Sequence, residues 1–136
     1  MIPLEEIRNY ELGMAMKQNN VVQTKSYAFA LRIVKIYQYL VKEKQEYVLS
    51  KQLVKSSTSI GANVEEAIGG QSQKDFQVKP SISYKEARET HYWLRLMQDS
   101  GYLNPAQSKS LLEDCSELLK ILGNIQRTMK NQIRNS

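Results

Sequence analysis

The stretch SSTSIGANVEEAIGG, residues 56–70, gathers small residues and three of the six glycines in the chain. Such a density suits a loop whose backbone N–H groups cradle a phosphate, so spacing has to decide. A P-loop needs G-x-x-x-x-G-K-[ST] between a strand and a helix, and no lysine follows Gly61. A G-x-G-x-x-G fingerprint is missing as well. The other use of small residues is close packing. Ser57, Gly61 and Ala62 let a neighbouring backbone approach a helix, at the ~1 kcal/mol that Gly costs relative to Ala. Ser56, Ser59, Asn63 and Glu66 recur at helical spacing as a polar line suited to hydrogen bonds across a helix or subunit interface.

Catalytic pairings fare no better. Glu65 and Glu66 are adjacent, so a helix points them ~100° apart. An acid–base pair must converge on one bond, which makes these solvated or salt-bridged carboxylates. His91, the single histidine, lies on the side of Tyr84, Ala87 and Leu94 and reads as a core or interface residue with a satisfied hydrogen bond. Cys115 falls on an apolar stripe and reads as a small buried hydrophobe. One cysteine allows no intramolecular disulfide and no cysteine-based zinc site within a chain. Neither a catalytic constellation, a metal nor a cofactor is expected.

Charge offers more. The formal net charge is +5. Residues 25–55 hold seven basic and two acidic residues, and the remainder of the chain is balanced. One stripe carries Arg32, Lys35 and Lys42 with Tyr39; a second carries Lys85, Arg88 and Arg95 with Tyr92. Arg and Lys neutralise phosphates, and tyrosines offer flat faces to unpaired bases. Lys25, Arg32, Lys35, Lys42, Lys51, Lys55, Arg88 and Arg95 are the candidate nucleic-acid contacts. The alternative is a solvated surface or a protein-binding face, because Lys85 and Glu89 stand at the i,i+4 spacing of an ordinary helix pair.

Helices must position these groups. With 136 residues, 3 Pro and 6 Gly, the chain reads as one all-α domain rather than a turn-rich β fold. Residues 3–17 have weak helical spacing and 17–24 read as a linker, leaving 1–22 as an extension before a bundle spanning 23–136. Helices are expected near 24–45, 50–69, 72–100 and 104–133, with Thr24, Ser50, Ser72 and Asn104 as N-caps. In the first, Phe29, Ile33, Ile36 and Leu40 form one line, and Ala30, Val34, Tyr37 and Val41 form another, with Tyr27 and Leu31 beyond. That apolar arc of about 200° exceeds what one bundle face buries, so Phe29 and Ile36 join Ser57, Gly61, Ala62, Asn63 and Glu66 as helix- or subunit-packing residues. Leu53, Ser57, Ile60, Val64 and Ala67 make the second helix's core line, which Gly69-Gly70 ends. Pro80 falls inside the third helix, where a kinked but continuous helix is expected. Pro105 opens the fourth, whose stripe is Leu111, Cys115, Leu118, Leu122, Ile125 and Met129. Four helices with short connections predict an antiparallel up-down four-helix bundle. No apolar run approaches the roughly 18–20 residues of a membrane span, and MIPLEEIRNYELG lacks the apolar region of a secretory signal. A cytoplasmic location, away from membranes, is expected.

The stretches FALRIVKIYQYL, EYVLSKQLVKSSTSIGANVEEAIGGQSQKDF and YKEARETHYWLRLMQDSGYL resemble the four-helix-bundle family of proteins encoded in 23S rRNA intervening sequences, also called S23-type. The likeness runs from about Lys25 to Met129. More distantly, the chain is similar to the accessory protein of diversity-generating retroelements. The family resemblance implies a cytoplasmic bacterial protein that forms a ring-like homopentamer and binds nucleic acid through a basic surface. That of the accessory protein adds a protein partner. Pro80 departs from the pattern, which usually has an apolar helix residue there, and the first 22 residues lie outside the likeness.

Overall fold

The computed structural model describes residues 2–70 and 73–134, with side chains described for 2–7, 20–70, 78–131 and 134. Among these residues four helices and no strand occur: α1 Leu4–Lys42, α2 Leu49–Gly69, α3 Gln73–Asp99 and α4 Pro105–Arg134. Short connections turn each helix back on the last. α1 and α3 each pack against both α2 and α4, so the four close around one core. Phe29, Ile33 and Leu40 of α1 meet Leu53 and Ile60 of α2, Leu94 and Met97 of α3, and Leu111, Leu118, Leu122 and Ile125 of α4 there. The expected apolar lines of α2 and α4 are buried throughout, Ser57 and Cys115 included.

The helix ends show how side chains and loops replace missing helical partners. Asn104 Oδ1 accepts the backbone N–H of Gln107 at 2.8 Å, and Gln107 Oε1 accepts that of Asn104 at 3.1 Å. This reciprocal capping box starts α4 as its sequence signals indicate. α3 ends in paired bonds, Tyr102 N–H to the Met97 carbonyl and Gly101 N–H to that of Gln98. That arrangement requires the left-handed φ of +85° that Gly101 adopts. α2 stops at Gly69, and Gly70 is extended. Its start differs from expectation. Ser50 lies inside the first turn, and Glu46 supplies the cap. The Glu46 carboxylate accepts the N–H groups of Val48, Leu49 and Ser50 at 3.1, 2.8 and 2.7 Å. The Ser50 hydroxyl instead donates to the Glu46 carbonyl at 2.7 Å.

The largest departure is α1. The expected linker at 17–24 is helical, and residues 4–42 run as one helix of 39 residues. Thr24 caps nothing and donates back to the Asn20 carbonyl at 3.3 Å. The segment KQNNVVQT contains neither Gly nor Pro, so its polar residues cost the helix only a few tenths of a kcal/mol each. Complete burial of Val22 recovers roughly 1.5–3 kcal/mol. The helix also stops at Lys42 rather than 45, with Gln45 at a left-handed φ of 51°. α3 continues through the buried Pro80. The proposed cap at Ser72 lies outside the described residues. Among the described residues no helix is long and apolar enough to cross a membrane.

Candidate nucleic-acid interface

Small and polar residues between the helices fix how the bundle faces are presented. Gly61 stands against Ser26 of α1: a Cβ placed on it would lie 3.3 Å from Ser26 Oγ and 3.7 Å from a Ser26 backbone atom. A methyl there would already need the Ser26 hydroxyl to give way by a few tenths of an ångström, and a larger side chain would press on α1. On the other side of α2, the Thr90 hydroxyl donates to Ser56 Oγ at 2.9 Å and the Ser83 hydroxyl to the Ile60 carbonyl at 2.9 Å. Glu65 and Glu66 diverge as adjacent helical residues must. Glu65 accepts from Gln23 of α1 at 3.1 Å, and Glu66 pairs with Lys79 of α3 at 2.8 Å. Asn63 donates to the Ser59 carbonyl at 2.8 Å within its own helix, and Ala62 is exposed. Phe29 is buried, and Ile36 is partly buried against the core.

The basic residues of α1 divide by partner. Lys25 pairs with Glu117 at 2.6 Å, and Arg32 binds both Asp114 and, at 2.9 Å, the Ser110 hydroxyl. Both tie α1 to α4. Arg32, Lys35 and Tyr39 border a shallow α1–α4 groove with Gln107 and Leu111, while Lys42 lies exposed near the helix end. Lys51 and Lys55 are exposed on α2, Lys55 close enough to Glu86 to favour its charged form. Burial and the neighbouring Glu89 act in the opposite sense and leave the Glu86 carboxyl above its ordinary value. Lys85 does not pair with Glu89, which accepts the Trp93 indole N–H at 3.2 Å instead.

Arg88 and Arg95 are placed differently. They open onto a groove between α3 and α4 shared with His91 and Leu119. The groove continues past Tyr84, Lys120, Gly123 and Gln126 to Arg127 and Lys130, and a recess on α4 carries the line on to Asn131 and Arg134. Six cations, Arg88, Arg95, Lys120, Arg127, Lys130 and Arg134, are exposed along it. No carboxylate is among the described residues that line it, and none of the six forms an ion pair with a described residue. Among the described residues Arg127 donates to Asn124, and Arg95 Nε donates to His91 Nδ1 at 3.1 Å. Arg95 also lies over the Tyr92 ring, 6.0 Å from its centroid, and Tyr92 meets Trp93 edge-on. Burial, then the charges of Arg95 and Arg88, push the His91 pKa below its ordinary value. The imidazole is therefore neutral at pH 7, with Nδ1 accepting from Arg95 and Nε2–H left to donate. Cations beside a neutral donor are groups that can attract an anion by charge and orient it by a hydrogen bond.

Residues 18–124 match the family described as 23S rRNA-intervening sequence protein. The chain belongs to that family. A search of curated proteins finds no match. Among solved structures it is similar to a protein of unknown function from the S23 ribosomal protein family of Bacteroides thetaiotaomicron, with 46% identity and a TM-score of 0.79. That likeness covers 81% of this chain and 98% of the other. Within this intervening-sequence family member, Tyr84, Arg88, Arg95, Lys120 and Gly123 fall in the matched span, and Gln126, Arg127, Lys130 and Arg134 lie beyond it.

Sequence reasoning singled out Arg88 and Arg95 but not the α4 wall. Lys120, Arg127, Lys130 and Arg134 also suit the later turns of α4, where the helix dipole favours cations. Their signal was present as seven-residue spacing at 120, 127 and 134. Only the packing of α3 beside α4 shows that this line faces another one. Among the described residues, no cluster of three or more His, Cys, Asp or Glu side chains is arranged to hold a metal ion.

Proposed function

We propose that this protein is a non-enzymatic, cytoplasmic, homo-oligomeric bundle that binds RNA or DNA through phosphate contacts in the α3–α4 groove. The observation that carries this reading is the line of six exposed cations with no carboxylate among the described residues that line it. Lys25 and Arg32 already have carboxylate partners, whereas binding a phosphate would cost the groove cations no ion pair with a described residue. Lys35, Lys42, Lys51 and Lys55 lie on other faces and add to the general positive field. A salt titration against a structured RNA tests the reading: log affinity should fall steeply and linearly with log salt. Absence of RNA and DNA binding at low salt would defeat it and leave an interaction scaffold whose partner carries the activity.

Self-association has separate support. Tyr27, Leu31 and Val34 are 65%, 51% and 36% exposed on the face of α1 turned away from the core. They form the outer part of the wide apolar arc, which the single chain leaves uncovered. A second copy covering that face removes it from water, and the family resemblance implies a pentamer. A ring would repeat each groove and convert modest affinity into avidity. Light scattering should give several times the 15.7 kDa chain mass; a monomer would refute the assembly.

A further inference from the structure

We propose that the α3–α4 groove is a track for single-stranded nucleic acid, with Tyr84 beside Gly123 as the platform for an unpaired base. This deepens the nucleic-acid reading and rests on it. The cations come from both walls of one groove, Arg88 and Arg95 on α3 and Lys120, Arg127 and Lys130 on α4. Helices packed at about 8–10 Å aim such side chains at a common line. A single strand offers one row of phosphates to that line. A duplex offers two rows, separated by grooves of about 6 and 12 Å. From Leu119 to Arg134 the α4 wall is about 22 Å long at 1.5 Å per residue, room for a few nucleotides.

The second observation is the floor. Gly123 has no side chain, and a Cβ placed on it would lie 3.7 Å from Tyr84 Cε2, ordinary contact distance. Tyr84 and Gly123 line one recess of about 460 Å³ with Lys120, Gln126, Arg127 and Lys130, and the glycine puts no side chain into it beside the ring. A positively charged channel beside an aromatic ring is the composition by which proteins hold unpaired strands without reading sequence. Gln126 supplies a neutral donor and acceptor at the same place.

The test uses the full chain and compares a short oligouridylate with an RNA duplex of equal length at matched salt. Binding tighter to the single strand by at least about tenfold is expected, with a slope near −0.7 per phosphate contacted rather than the −0.9 of a duplex. Tyr84→Leu should weaken oligouridylate binding by about 5- to 150-fold, the range for loss of one stacked base, and Tyr84→Phe should restore it. Gly123→Leu, which favours the helix and fills the recess, should act like Tyr84→Leu even if the latter fails to fold. Equal or tighter duplex binding overturns this inference and leaves phosphate binding standing. So does a single-strand preference that survives Gly123→Leu. Failure to bind either probe defeats both.

Discussion

Removing charge from the groove should change salt dependence without changing stability, and removing Arg32 should do the reverse. Six phosphate contacts on a single strand give a slope of about −4 in log affinity against log salt. The triple variant Lys120→Ala/Arg127→Ala/Lys130→Ala leaves three contacts and a slope of about −2. A fourfold rise in salt should then weaken the wild type by about 250-fold and the variant by about 16-fold. All three positions are exposed and form no ion pair among the described residues, so unfolding free energy should move by less than about 0.5 kcal/mol. Arg32→Ala breaks the pair with Asp114 and the bond to Ser110. Both partners are over 40% exposed, so the loss is about 0.5–1.5 kcal/mol. Melting should fall by roughly 2–5 °C, with the slope unchanged. A charge-matched control, Lys35→Ala/Lys42→Ala/Lys51→Ala, removes three cations from other faces. Fluorescence anisotropy at several salt concentrations, with thermal melts of each variant, reads both quantities. Should Arg32→Ala or the control flatten the slope as much as the groove variant, the contacts lie elsewhere and the assignment fails.

The Glu46 cap should make stability pH-dependent. Burial raises its pKa, but the hydrogen bonds from Leu49, Ser50 and Val48 outweigh this and hold it below the ordinary value. Its contribution is therefore complete above the unfolded-state pKa, near 4.3, and disappears as pH falls through the lower folded value. Glu46→Gln should cost about 1–2 kcal/mol at pH 7 and flatten the acid limb of a denaturation series; an unaltered acid limb would show that the cap is not the titrating group. Gly61→Leu should destabilise by roughly 1–3 kcal/mol through overpacking against Ser26, and unchanged denaturant midpoints would contradict the close approach of α1 and α2. Cys115 is fully buried, its thiol pushed up to about 12 by burial and by Asp114, so it should resist a thiol reagent at pH 8 until the protein unfolds; rapid native labelling would refute that burial. Leu31→Glu should lower the mass seen by light scattering toward one chain, because a charge there opposes burial of the exposed α1 face.

Elements with purely local causes were legible in the sequence. The Asn104–Gln107 box, Gly69-Gly70, Gly101 and the apolar lines of α2 and α4 act within a few residues of themselves, and the structure places each as its spacing implies. The same locality excluded a P-loop at Gly61 and a convergent Glu65–Glu66 pair. The misread ends have non-local or competing causes. Glu46 caps α2 from a loop that resembles helix in composition, and burial of Val22 in the assembled core holds α1 continuous across a weakly helical segment.

The cations show the division most clearly. Sequence counts Arg32, Arg88 and Lys130 alike, because each is one positive charge on a polar helix face. Packing separates them. α1 meets α4 where Asp114, Ser110 and Glu117 wait for Arg32 and Lys25, and α3 meets α4 where no described carboxylate faces Arg88, Lys120 or Lys130. Helical period fixes which side chains share a face, since it depends on neighbours three and four residues away. Which faces meet depends on helices tens of residues apart, and that tertiary choice set which charges are neutralised within the fold and which remain available to a ligand.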